Sequence, residues 1–88
     1  MTTFKFKNGV TVPTEARASR IWFDEDFLHC ELKDGRIISV PIIWYPRLWK
    51  ANPEQRKKYE LTGDGYGIHW PEIDEDLSVK GFLAGVNN

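Results

Sequence analysis

The sequence predicts a small α+β domain, in which an antiparallel β-meander is combined with two or three short helices. Three runs rich in β-branched and aromatic residues lie at positions 17–23, 27–32 and 36–42, and short polar turns separate them. Helical patterns that begin with a proline follow at Pro46 and Pro53. A chain of 88 residues builds one small core, so we expect residues 1–88 to form a single domain.

The N-terminal segment 1–15 is expected to form a hairpin and a connector, ahead of the remaining elements. Residues 4–7 alternate apolar with charged side chains, Asn8-Gly9 suits a tight turn, and residues 10–12 alternate again. Residues 13–15 lack periodicity, and Pro13 favours a connector or an edge segment over a strand.

The meander strands have the two-residue period of a half-buried sheet. Leu28, Cys30 and Leu32 fall on one face of the second run, and His29 falls on the other. We therefore expect Cys30 to lie in the core. The third run should end or lie at an edge near Pro41, because proline lacks the N–H that a ladder needs.

Two helical segments are predicted in the middle of the chain. A short helical turn begins at Pro46, where the fixed φ of proline suits a first helical position. Asn52 and Gln55 have the spacing of a capping box. The second helix is expected to run from Pro53 to about Leu61, with a basic, exposed face.

A fourth strand is predicted where Tyr66, Ile68 and Trp70 alternate with Gly67 and His69. This spacing turns the two rings towards the core and His69 away from it. Pro71 should close the strand.

A last short helix is predicted from the helical spacing of Val79, Phe82 and Leu83. Ser78 or Asp76 is expected to cap it. The carboxylates at positions 74–76 would then stabilise the positive end of the helix dipole.

The amino-acid composition limits the classes of function that the chain can have. Twelve basic residues nearly balance thirteen acidic ones, so the chain has no general attraction for nucleic acid or anionic membranes. The single cysteine excludes an internal disulfide. With no apolar run of about 18 residues and no leader-like segment, we expect a cytoplasmic protein.

The densest cluster of chemically active groups combines His69 with Asp74 and Asp76, which could bind a divalent metal or transfer protons. Neither a metal-binding motif with defined spacing nor a nucleotide-binding loop occurs in the sequence. Helix capping and solvated charge explain the carboxylates more simply. We therefore predict no enzyme, no cofactor and no metal, and keep a metal-dependent enzyme as an alternative.

Basic residues on the two middle helices suggest a second alternative. Together with neighbouring tryptophans they could follow a nucleic-acid backbone, although a solvated helix face is the simpler interpretation. The basic residues are Arg47, Lys50, Arg56, Lys57 and Lys58, beside Trp44 and Trp49.

Four tryptophans are a large number for so short a chain. Tryptophan fills cores and also anchors protein interfaces. Trp70 is predicted to face inward, whereas Trp22, Trp44 or Trp49 could face outward. We expect at least one of them to contact a partner.

Several segments resemble, in order, the bacterial domain of unknown function 2442 family. They are residues 32–42, 44–48, 53–56, 67–79 and 81–85. The resemblance covers Ala16 to Gly85 and implies no established enzymatic activity. It implies a two-gene layout like a toxin-antitoxin module, beside a partner resembling the domain of unknown function 4160. Some members carry a helix-turn-helix, for which we expect no counterpart here.

Resemblance and composition together predict a protein-interaction module, most specifically the antitoxin-like component that binds and neutralises a neighbouring-gene product. Nucleic-acid binding through Arg47–Lys58 and inhibition of a defence nuclease or CRISPR complex are further alternatives. The predicted partner-binding residues combine ring anchors with a charged rim. They are Trp44, Arg47, Trp49, Arg56, His69, Asp74, Glu75 and Asp76.

Overall fold

The computed structural model describes residues 2–5, 11–14 and 16–85, with side chains for residues 16–85. This part of the chain forms eight strands and three α-helices, which agrees with the predicted α+β class. The elements are β1 (Thr2–Lys5), β2 (Thr11–Thr14), β3 (Ala18–Phe23), β4 (Phe27–Leu32), β5 (Ile37–Pro41), α1 (Pro46–Lys50), α2 (Pro53–Lys57), β6 (Glu60–Thr62), β7 (Gly67–Trp70), β8 (Glu75–Ser78) and α3 (Val79–Ala84).

Strands β1 and β2 pair antiparallel, with Phe4 opposite Val12, as the predicted hairpin requires. The turn expected at Asn8-Gly9 lies outside the described residues. Residues 13–15 were expected to form a connector or an edge segment rather than a strand, which is wrong for Pro13 and Thr14, because both belong to β2. A two-stranded ribbon leaves each strand one unpaired edge, where the missing proline N–H costs nothing.

The first sheet has the order β3-β4-β5 with antiparallel pairing, which confirms the predicted meander. Leu28, Cys30 and Leu32 are buried, so the predicted core face of β4 and the core position of Cys30 are confirmed. Strand β5 ends at Pro41, as expected.

A second three-stranded sheet has the order β6-β7-β8, and the sequence predicted only its middle strand. The helix expected from Pro53 to about Leu61 ends at Lys57 instead. The end of the predicted helix, at Glu60 and Leu61, belongs to β6 instead, where Leu61 pairs with Ile68 of β7. The capping box of Asn52 and Gln55 is present as predicted.

The segment before the last helix also differs from the prediction. Glu75 and Asp76 belong to β8 and pair with β7, because a turn that puts Asp74 in the left-handed region (φ 52) reverses the chain. Tyr66 precedes β7 and is 47% exposed, so its predicted core position is wrong. The predicted cap of α3 is confirmed, since the Ser78 hydroxyl accepts from Gly81 N–H at 2.9 Å.

One hydrophobic core joins the two three-stranded sheets with helices α1 and α3. Leu28 and Val40 from the first sheet, Ile68 and Trp70 from the second, and Phe82 from α3 all belong to it. Trp70 is 0% exposed, which confirms its predicted inward position. Within the described residues, no helix has the length and apolar character needed to cross a membrane.

Candidate functional site

The predicted partner-binding residues are divided between several surfaces. Arg47 of α1 reaches the turn before β8, where its guanidinium donates to the Asp74 carbonyl and lies 4.0 Å from the Asp74 carboxylate. Arg47, Asp74, Glu75 and Asp76 thereby border one shallow depression of about 510 Å³. The fold brings this helical residue and the acidic segment together.

Glu75 lies at the inner wall of this depression and is only 7% exposed. One of its carboxylate oxygens accepts from the Asp76 N–H at 3.1 Å. The buried hydroxyl of Tyr45 has no hydrogen-bond partner among the described residues. Burial, helped by the Glu75 carboxylate, raises the pKa of Tyr45 to about 12, so this phenol stays neutral.

His69 lies on the outer face of the second sheet. Its Nδ1 is 2.8 Å from the Asp76 carboxylate, and the strand register aligns Glu60, His69 and Asp76 in one row. In the part of the chain that the structure describes, no three histidine, cysteine or acidic side chains are placed to hold a metal ion.

The tryptophans of the helical side differ in exposure. Trp49 is 47% exposed, whereas Trp44 is half-buried against the core. Trp49 thus presents an open ring to solvent, and Trp44 presents only part of one.

The basic residues of this side are largely paired. Lys58 lies 2.9 Å from the Glu72 carboxylate, and Lys57 lies 3.7 Å from the Glu54 carboxylate. This pairing lowers the positive charge that the helical face offers to a phosphate backbone.

Arg56 of α2 contacts three other elements, α1, β3 and β7. Its guanidinium donates to the carbonyls of Leu48 (2.8 Å) and Trp49 (3.1 Å) at the end of α1, and it lies 5.9 Å from the ring centroid of Phe23. The Arg56 carbonyl accepts from Trp70 Nε1 at 3.0 Å. Arg56 therefore fixes α1 and α2 against the second sheet.

An open groove of about 570 Å³ lies between β3 and α2. Its lining is rich in rings and aliphatic side chains, with charged residues among them. The lining residues are Ile21, Trp22, Phe23, Asp24, Glu25, Pro53, Arg56, Lys57 and Tyr59. We call this feature the β3–α2 groove.

Rings packed on the core form part of the groove. Phe23 and Tyr59 each have their ring centroids 6.4 Å from that of Trp70. The Tyr59 hydroxyl accepts from the Ile21 N–H at 3.0 Å. Neither ring was predicted as a site residue, because a sequence separation of 38 positions between Tyr59 and Ile21 leaves no local pattern.

A polar relay lies on the outer face of the first sheet, beside the groove. His29 Nδ1 is 2.6 Å from the Ser39 hydroxyl, and His29 Nε2 is 2.7 Å from the Asp24 carboxylate. The hydrogen bond to His29, with two further ones from backbone N–H groups, lowers the pKa of Asp24 to about 2. The relay orients the imidazole, which stacks on Trp22 at 5.4 Å.

The relay contains the aspartate, histidine and serine of an acyl-transfer triad, but here Ser39 is exposed on a sheet face. The sequence predicted only that His29 faces outward. Ser39 was missed, although a hairpin register that places it opposite His29 would have indicated the contact.

Comparison with known proteins agrees with the resemblance. Residues 18–88 match the family model described as "Protein of unknown function (DUF2442)". No match is found among the curated proteins.

Two solved structures share this fold. The chain is similar to a protein of unknown function from Rhodospirillum rubrum ATCC 11170, with 31% identity and a TM-score of 0.72, over 82% of this chain and 89% of that one. It is also similar to an uncharacterized protein from Chromobacterium violaceum, at 20% identity with a TM-score of 0.71, over 82% of this chain and 68% of that one.

Proposed function

The chain belongs to the DUF2442 family, and we propose that it is a small protein-interaction module that binds its partner in the β3–α2 groove. The observation that carries this proposal is the apolar character of the groove. A chain of 88 residues needs most of its large apolar side chains for its core. Apolar surface left open in such a chain is typical of an interaction site.

The rings of the groove have the properties of interface anchors. Phe23 and Tyr59 lie against the buried Trp70, so they lose little conformational freedom when a partner binds. Tyrosine, tryptophan and arginine are also the residue types enriched among binding hot spots. Charged Glu25 and Lys57 border these rings and provide a polar rim.

We extend the proposal to the antitoxin-like role that the family resemblance implies. The partner would then be the product of a neighbouring gene, and the complex would form in the cytoplasm. The exposed ring of Trp49 and the charged depression around Arg47 and Asp74 supply additional contact surface beyond the groove.

Co-expression with the neighbouring-gene product tests both the binding of a partner in the groove and the antitoxin-like role. We expect the two proteins to co-elute, and the chain to restore growth that the partner alone inhibits. Reversing a groove charge with Glu25→Lys should reduce the recovered complex at least tenfold. Lys80→Glu, an exposed position on α3 that does not line the groove, serves as the matched control and should leave recovery unchanged.

The outcomes distinguish the antitoxin-like role from the use of the groove as the contact surface. Co-elution without rescue of growth would contradict the antitoxin role alone. Equal recovery with Glu25→Lys and with Lys80→Glu would contradict the groove as the contact surface. Absence of any complex would refute the antitoxin-like partnership.

A further inference from the structure

We propose that the β3–α2 groove binds an extended segment of the partner protein as an added β-strand, hydrogen-bonded to the main chain of Phe23. This inference rests on the proposed protein-binding function and specifies the class of segment that is recognised. The segment carries an apolar side chain for the ring-lined part of the groove and a basic side chain for Glu25.

The main chain of β3 is available on the groove side. Strand β3 lies at the edge of its sheet. Asp24 N–H donates to the Phe27 carbonyl at 3.0 Å across the hairpin, whereas Ile21 N–H donates away from β4, to Tyr59 at 3.0 Å. Because successive residues of a strand direct their N–H groups to opposite sides, Phe23 directs its N–H and carbonyl away from β4.

An added antiparallel strand would provide hydrogen-bond partners for the N–H and the carbonyl of Phe23. A residue placed opposite Phe23 can exchange two hydrogen bonds with it, one in each direction. Phe23 lines the groove, so the unpaired groups and the apolar surface occur together. Main-chain pairing then supplies affinity, while the flanking side chains supply specificity.

The rest of the edge is covered, which limits the length of the added strand. The turn between β6 and β7 packs so closely on the start of β3 that a Cβ on Gly65 would lie 2.7 Å from the Ala18 carbonyl oxygen. Only the end of β3 from Ile21 to Phe23 borders the groove. The groove has a volume of about 570 Å³, which accommodates a few extended residues.

The charges of the groove indicate a basic residue in the segment. Asp24 is held by His29 (2.7 Å), Arg56 donates to two carbonyls, and Lys57 lies 3.7 Å from the Glu54 carboxylate. Glu25 has no hydrogen-bond or ion-pair partner among the described residues. A cation on the bound segment would provide one, and attraction between opposite charges favours that pairing.

A phage-displayed library of random eight-residue peptides tests the inference without knowledge of the partner. We expect enriched peptides to combine alternating apolar residues with a lysine or arginine, and to bind at least tenfold more weakly to Glu25→Lys than to Lys80→Glu. Methylating the peptide nitrogen that pairs with Phe23 should weaken binding at least tenfold. Methylating the adjacent nitrogen should change it less than threefold.

Amide hydrogen exchange of the same complexes reports the strand directly. Peptide binding should slow exchange of the Phe23 amide at least tenfold. The Trp22 amide, which points to β4, is the internal control and should change little. No enriched peptide, or bound peptides that leave Phe23 exchange unchanged, would overturn strand addition. If the partner protein still co-elutes, the protein-binding function survives that result.

Discussion

Replacing Trp70 with phenylalanine tests the core that supports the groove. Trp70 is 0% exposed, and its Nε1 donates to the Arg56 carbonyl at 3.0 Å. Its ring also contacts the rings of Phe23 and Tyr59. The variant keeps an aromatic ring in the core but removes the donor and part of the volume.

Two contributions set the expected size of the effect. The Arg56 carbonyl loses its indole donor, which costs about 1–3 kcal/mol when the group stays buried. The smaller ring leaves a cavity that costs about 1 kcal/mol. We therefore expect Trp70→Phe to reduce the free energy of unfolding by about 2–4 kcal/mol, a large part of the roughly 5–15 kcal/mol typical of native domains.

Urea denaturation followed by circular dichroism measures this change. Trp49→Phe is the matched control, since Trp49 is 47% exposed and surface changes usually stay within about 0.5 kcal/mol. A loss below about 1 kcal/mol for Trp70→Phe, less than the lost hydrogen bond alone would give, would refute the role of this indole.

Three further predictions concern the surrounding structure. Gly65→Ala should destabilise the protein more than Gly35→Ala in urea denaturation. Both residues have φ +94, but only at Gly65 would an added Cβ meet a backbone atom, at 2.7 Å. Equal losses of stability would contradict this close approach. The pKa of Asp24 is lowered to about 2, so its stabilising contribution is present above pH about 4 and lost as pH falls towards 2. Asp24→Asn should flatten this part of the stability profile in acid titrations, and an unchanged slope would contradict the contact with His29. Burial raises the pKa of Cys30 to about 11, so a thiol reagent at pH 8 should label native protein at least tenfold more slowly than urea-unfolded protein; equal rates would contradict its burial.

The sequence predicts elements whose signals are local. The apolar alternation around Cys30 is confined to six residues of β4, and the Asn52 capping box to four positions. The Ser78 cap has equally short spacing. Each pattern arises within a few neighbouring residues, so it can be recognised without knowledge of the tertiary structure.

Strand β6 and the groove depend on distant contacts and were missed. Residues 60–62 of β6 are all exposed, so they lack apolar alternation, and their strand conformation comes from pairing with β7. The groove exists because Tyr59 meets β3 from 38 positions away. Likewise, the relay of Asp24, His29 and Ser39 requires a hairpin register that composition does not reveal.

Titration of the neighbouring-gene product into ¹⁵N-labelled protein tests the central claim most directly. If the β3–α2 groove is the binding site, the largest amide shift changes will be at Phe23, Glu25 and Tyr59. Shift changes confined to the outer face of the second sheet, around His69 and Asp76, would contradict the groove as the interface.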